Sequence, residues 1–267
     1  VGGIGLEGDI AYTAIYVNEN TGCLSAPPKT EDEVVIYTQT VEAKRQGITV
    51  NMSNILSPAD TQVTHLWLYR SSVTLPDPTF VASLPVGTAS FVDTRADVQL
   101  DNAKVLEPDN DPPPSTAQVL IGPGALQRLF IIHERNKVRF SKRWESQRSR
   151  AENWPTTFEL QIGDGSQEAL KGLVLDQTVI IFSESATWEV LGQGPDAFLP
   201  LPIPLSHGLA APQAVAFGDG QIFFLALDGV YAQVGLRQVK LTDETLDPFF
   251  LGETVHGHLP INRAALS

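Results

Sequence analysis

The chain has 267 residues, 42% of them hydrophobic, with 18 basic against 31 acidic side chains and a formal net charge of −13 at pH 7. That length can bury one large core or two ordinary ones, and its apolar runs are far shorter than the roughly 20 residues of a membrane helix, so no membrane span is expected. The acidic balance argues against a nucleic-acid-binding surface, which needs clustered Lys and Arg.

The 19 prolines and 21 glycines are spread along the chain and favour many short strands over long helices, so the expected class is all-β. Cys23 is the one cysteine. It permits no intrachain disulfide, and assembly in a reducing cytoplasm would suit the protein. Val1 opens the sequence and Met52 is its one methionine, which reads as an N-terminus processed or cut from something longer. No signal peptide is visible. Residues 1–114 carry 15 acids and 6 bases, whereas 115–267 carry 16 and 12. The acidity belongs mainly to the first part.

Tyr12 to Val17 (YTAIYV) is a β-branched and aromatic run closed by the turn-rich Asn18–Gly22 and then by Ser25-Ala26-Pro27-Pro28. Val34–Tyr37, Gly47–Met52, Thr64–Arg70, Thr79–Ser83 and Ala89–Val92 repeat the pattern of short apolar or alternating runs between turn residues. This density of strands predicts a β-sandwich. From Glu107 to Ser115 the chain reads EPDNDPPPS. Three successive prolines forbid helix and ladder donation and make a stiff connector, so a boundary is expected there. The sandwich module is assigned to residues 1–110 and a second domain to 115–267.

The second part holds an internal repeat. Arg128–Ser141 (RLFIIHERNKVRFS), Thr178–Leu191 (TVIIFSESATWEVL) and Gln221–Val234 (QIFFLALDGVYAQV) each give an apolar run, a four-residue turn and a second strand that alternates. Each is a hairpin with one deeply buried arm. A further short strand precedes each, at Val119–Ile121, Leu173–Leu175 and Ala214–Phe217. Three strands per unit predict blades of a β-propeller, with Phe158–Ile162 a candidate for an outer fourth strand. About three blades are expected, with Ile261–Leu266 starting a fourth. The plainer alternative is a set of generic hairpins in a barrel or second sandwich.

The elements YxxxYVNxxTGxLSAPP at 12–28, HLWLYRS at 65–71 and FVDT at 91–94 resemble the fibronectin-type-III-like modules of phage tail proteins. Pro28 stands where serine is usual, and Phe91 where tyrosine is usual. The pattern RLFI…NKVRFS…ENWPTTFELQIGDGS…LKGLVL…VIIFSESATWEVLG…FFLALDGVY resembles the propeller of phage tail nozzle proteins of the tail tubular B type and of related tail hub proteins. The resemblance implies a virion structural protein assembled in the host cytoplasm. It further implies a homo-oligomeric, hexameric ring that meets other tail or portal and adaptor proteins and continues the tail tube. DNA would pass through the lumen without specific binding. The alternatives are a receptor- or carbohydrate-binding adhesin module and, third, a propeller glycoside hydrolase.

No catalytic, cofactor or metal residues are expected. Gly3-x-Gly5-x-x-Gly8 matches a dinucleotide fingerprint literally, but it lacks the preceding strand and following helix and reads as a flexible segment. Ser183–Trp188 lacks the Asp and Gly of a sialidase Asp box, and Trp188 reads as core. His256-x-His258 has no third ligand nearby. Asp93, Asp97 and Asp101, and Asp109-Asn110-Asp111, do not match calcium-loop spacing and read as solvated turns. No nucleophile elbow, P-loop or HExxH occurs. The candidate contact site is the basic run Arg135, Lys137, Arg139, Lys142, Arg143, Arg148 and Arg150. Such a run is a solvated outer face, a docking patch for an acidic neighbour, including the acidic sandwich of an adjacent subunit, or, as the weakest of the three readings, a DNA contact.

Overall fold

A computed structural model describes residues 6–30, 35–37, 39–52, 60–100, 104–124, 127–144, 151–242 and 246. Half of the described residues are in strands and 3% in helix, an all-β class built of antiparallel sheets. The chain divides after Pro112, and the first unit also takes in the excursion that ends at Asn153. There the buried Asn153 Nδ2 donates to Asn110 Oδ1 at 3.1 Å. The second unit runs from Pro113 to Trp144 and resumes at Trp154.

The first unit is organised by one long strand, β1 (Leu6–Asn18). It pairs with β2 (Cys23–Leu24) at its end, with β3 (Gln39–Gln46) along its first half, and with β5 (His65–Ser72) on the other side. β6 (Thr79–Pro85) extends this sheet beyond β5, while β4 (Ile48–Asn51) and β7 (Ser90–Asp93) form a separate two-stranded sheet. Alternation sends Ile10, Tyr12 and Ala14 of β1 into one core with Ile48, Val50 and Leu68. Ile15 and Val17 enter another with Tyr69 and Leu106. Both faces of β1 are therefore covered, which explains its run of four consecutive buried residues, Tyr12–Ile15.

Several sequence expectations are corrected in this unit. Gly8 lies within β1 and pairs with Ala43, so the N-terminal glycine pattern is not simply a flexible segment; Gly3 and Gly5 lie outside the described residues. Val35 makes only an isolated bridge to Lys29, and Val34 lies outside the described residues. β3 (QTVEAKRQ) is a strand that the sequence pattern does not predict. Asp93 and Asp97 are not solvated turns, because both bind Arg70, whose side chain is fully buried. Asp111 pairs with Lys29 at 2.7 Å, and Asn110 is buried. Asp101 lies outside the described residues.

The second unit contains three successive four-stranded meanders. The first is β8 (Ala117–Ile121), β9 (Phe130–His133), β10 (Lys137–Phe140) and β11 (Glu159–Gln161). The second is β12 (Ala169–Leu175), β13 (Thr178–Ser183), β14 (Thr187–Leu191) and β15 (Leu199–Pro202). The third is β16 (Val215–Gly218), β17 (Gln221–Ala226), β18 (Gly229–Val234) and β19 (Arg237–Lys240). Within each sheet the strands lie side by side in chain order. The repeat hairpins form the two inner strands, and β11 realises the Phe158–Ile162 candidate.

The meanders pack by one rule. Phe130, Ile132, Val138 and Phe140 of the first meet Val179 and Ile181 of the second. The opposite face of β13, Ile180 and Phe182, meets Ile222, Phe224 and Tyr231 of the third. Gly172 lets the first two sheets approach: a Cβ there would lie 2.0 Å from Ile121 Cδ1. On the far face of the third sheet Val234, Val239 and Leu241 are about half exposed. Ala232 pairs with Val239 and Val234 with Arg237, and the Leu241 amide donates to the Val230 carbonyl, so this register places all three apolar side chains on one face.

Candidate functional site

Two places in the second unit concentrate polar side chains. The first is the β9–β10 hairpin with the basic run. Arg135 is exposed in the turn at φ 69°. Lys137 and Arg139 alternate along β10 and share a face with Glu159 of β11, because Arg139 and Glu159 are cross-strand partners. Lys137 Nζ contacts Glu134 at 2.8 Å and Glu159 at 3.4 Å, and Arg139 contacts Glu159 at 2.8 Å. Lys142 is buried and Arg143 exposed; Arg148 and Arg150 lie outside the described residues.

Two acids thus neutralise the middle of the run. In the sequence only Glu145 stands among the bases, since Glu159 joins them through strand pairing across 20 residues. Arg128, which precedes the run, donates to the Ser141 carbonyl at 2.7 Å and sits over the Phe140 and Phe158 rings. Burial, with the nearby charge of Arg143, lowers the Arg128 pKa. His133 is buried with Nε2 3.0 Å from Glu159. Burial pushes its pKa down, against the opposing pull of Glu159. Burial alone would raise the Glu159 pKa, but the Arg139 hydrogen bond and the surrounding positive charges hold it below the usual value.

The second place is a cleft of about 850 Å³ between the outer strands of the first two meanders, a size within the usual range for ligand sites. One wall is β11 and the following turn, Glu159 to Asp164; the other carries Trp188, Phe198, Leu199, Pro200 and Pro202. Trp188 pairs with Pro202 across the strands, and its indole edge abuts Gly163, where a Cβ would come within 3.2 Å. The Trp188 indole N–H has no acceptor among the described residues. At one rim Asp164 accepts from the Ser166 hydroxyl at 2.6 Å and from its amide at 2.9 Å. Those bonds hold the Asp164 pKa below the usual value. Trp188, expected in the core, packs against the core between the first two meanders and also lines the cleft.

No group of three or more His, Cys, Asp or Glu side chains is placed to hold a metal among the described residues, and His256 and His258 lie outside them. No helix among the described residues is long and apolar enough to cross a membrane. No family model matches the chain, and no curated protein matches it.

Proposed function

We propose that the chain is a non-enzymatic structural component of a phage tail, a nozzle or hub ring that continues the tail tube, with its second unit contributing blades to a β-propeller and its first serving as a fibronectin-III-like module. The observation that carries the propeller reading is the single packing rule of the three meanders, each covering one face of the sheet before it. A propeller extends by that rule. The half-exposed Val234, Val239 and Leu241 give the third sheet an apolar face of the kind that a next blade covers.

The tail reading rests on the sequence resemblance at 12–28, 65–71 and 91–94 together with the blade pattern. Its motif residues have work to do in the fold: Arg70 of YRS and Asp93 of FVDT form a buried ion pair. In the proposed ring, subunits meet through apolar contacts, while exposed basic residues such as Arg135 and Arg143 choose register against acidic neighbours. Electron microscopy of the purified full chain tests this. Rings with a central lumen support the proposal, and isolated particles at every concentration contradict it.

A further inference from the structure

The two strand edges that flank the cleft differ in one respect. The Thr187 carbonyl accepts from the Ile203 amide, so alternation makes Glu189–Leu201 and Leu191–Leu199 the hydrogen-bonded pairs of β14 and β15. Pro200 and Pro202 therefore occupy the positions whose backbone nitrogens face outward, and neither has an N–H to offer. Proline at those positions blunts an edge against strand addition.

β11 is not protected in this way. Phe140 donates to the Phe158 carbonyl and Ile162 to that of Asn136, so Phe158, Leu160 and Ile162 point their backbone groups inward to β10. Glu159 and Gln161 point theirs outward, at the end of the sheet, where no strand among the described residues pairs with them. Both edges line the same cleft. The prolines also prevent the two edges from pairing fully with each other, because β15 can offer only acceptors there.

We infer that the cleft is a binding site for an extended peptide segment that adds as a strand to the β11 edge, its side chains on one face lying against Trp188 and Phe198 and a basic residue reaching Asp164. Strand addition of this kind draws affinity from main-chain hydrogen bonds and selectivity from alternate side chains. The outward groups of Glu159 and Gln161 supply two donors and two acceptors. Glu159 is already neutralised by Lys137 and Arg139. Asp164 has no cation among the described residues, and the ligand charge is assigned from it. The buried Trp188 indole N–H behind this wall is also without a partner among the described residues. The inference stands apart from the tail reading, since it concerns one edge within the second unit.

The test titrates the full chain with the peptide acetyl-Thr-Val-Thr-Val-Thr-Lys-amide and follows hydrogen exchange at the Glu159 and Gln161 amides. Binding should slow exchange at both. Backbone N-methylation of alternate peptide residues should weaken binding by about tenfold or more, as expected for lost main-chain bonds. Gln161→Pro removes one outward N–H and none of the bonds to β10, so it should weaken binding with little change in melting temperature. Asp164→Asn should weaken the lysine peptide but not its glutamine counterpart. Absence of amide protection, or equal binding by the N-methylated peptide, overturns the inference, and that comparison decides the matter even where Gln161→Pro fails to fold. A cleft that takes a neutral oligosaccharide and no peptide overturns it as well.

Discussion

Arg70 and Asp93 meet at 2.5 Å with neither side chain reaching solvent. The pair stands in a network: Tyr12 donates to the same Asp93 oxygen at 3.0 Å, and Arg70 reaches Asp97 at 2.6 Å and the Arg95 carbonyl at 3.0 Å. Ser72 and Thr74 donate to the second Asp97 oxygen. Removing one partner leaves an uncompensated buried charge. Asp93→Asn or Arg70→Met should each cost about 3–5 kcal/mol in urea unfolding of the first unit. The double variant Arg70→Met/Asp93→Leu should cost less than the two singles added together.

The same network sets an alkaline limit. Burial, reinforced by the Asp93 charge, raises the Tyr12 pKa well above its ordinary 10.0. The folded state therefore keeps its phenol proton where the unfolded chain loses it. Stability from this group is complete below about pH 10 and declines as pH rises beyond that value. A pH series of melting curves should show the decline in the wild type and a shallower one in Tyr12→Phe.

His133 gives the second unit an acid-side dependence. Its folded pKa lies below the ordinary 6.5 because burial disfavours the charged ring. The unfolded chain gains that proton first, so stability is present above about pH 6.5 and is lost as pH falls below it. His133→Gln should flatten the melting temperature of the second unit between about pH 7 and pH 5, measured at constant salt, whereas an unchanged slope would remove His133 as the cause.

Gly172 predicts a packing defect. Its absent Cβ leaves room for Ile121, and a methyl 2.0 Å from Cδ1 must displace that side chain. Gly172→Ala should destabilise the second unit by about 1–3 kcal/mol. Ile121→Val in the same chain should recover part of the loss, read by urea unfolding.

The inner strands of the three meanders are legible in the sequence because each is a short apolar or alternating run between turn residues, and period-two alternation survives without tertiary context. β3 is not, since in QTVEAKRQ only Val41 and Ala43 supply apolar side chains to the sheet and the rest is polar. β15 reads LPLP, and proline argues against a strand unless the strand is an edge, which sequence alone does not reveal. The basic run is visible as a run, but its neutralisation by Glu159 depends on the β10–β11 register. The acids at 93 and 97 resemble turn residues because Arg70, their partner, is a long-range contact. The cleft needs both edge strands to be in place.

The central claim is a ring of identical subunits, and solution mass of the intact chain measures it most directly. The wild-type protein should give a closed oligomer, and Arg135→Glu/Arg143→Glu should remain folded yet shift toward monomer, more so at low salt, where charge interactions are least screened. These two positions suit the test because both are exposed, whereas Arg139 is ion-paired and Lys142 buried. A wild-type chain that stays monomeric at every concentration, even with tail partners present, would contradict the account.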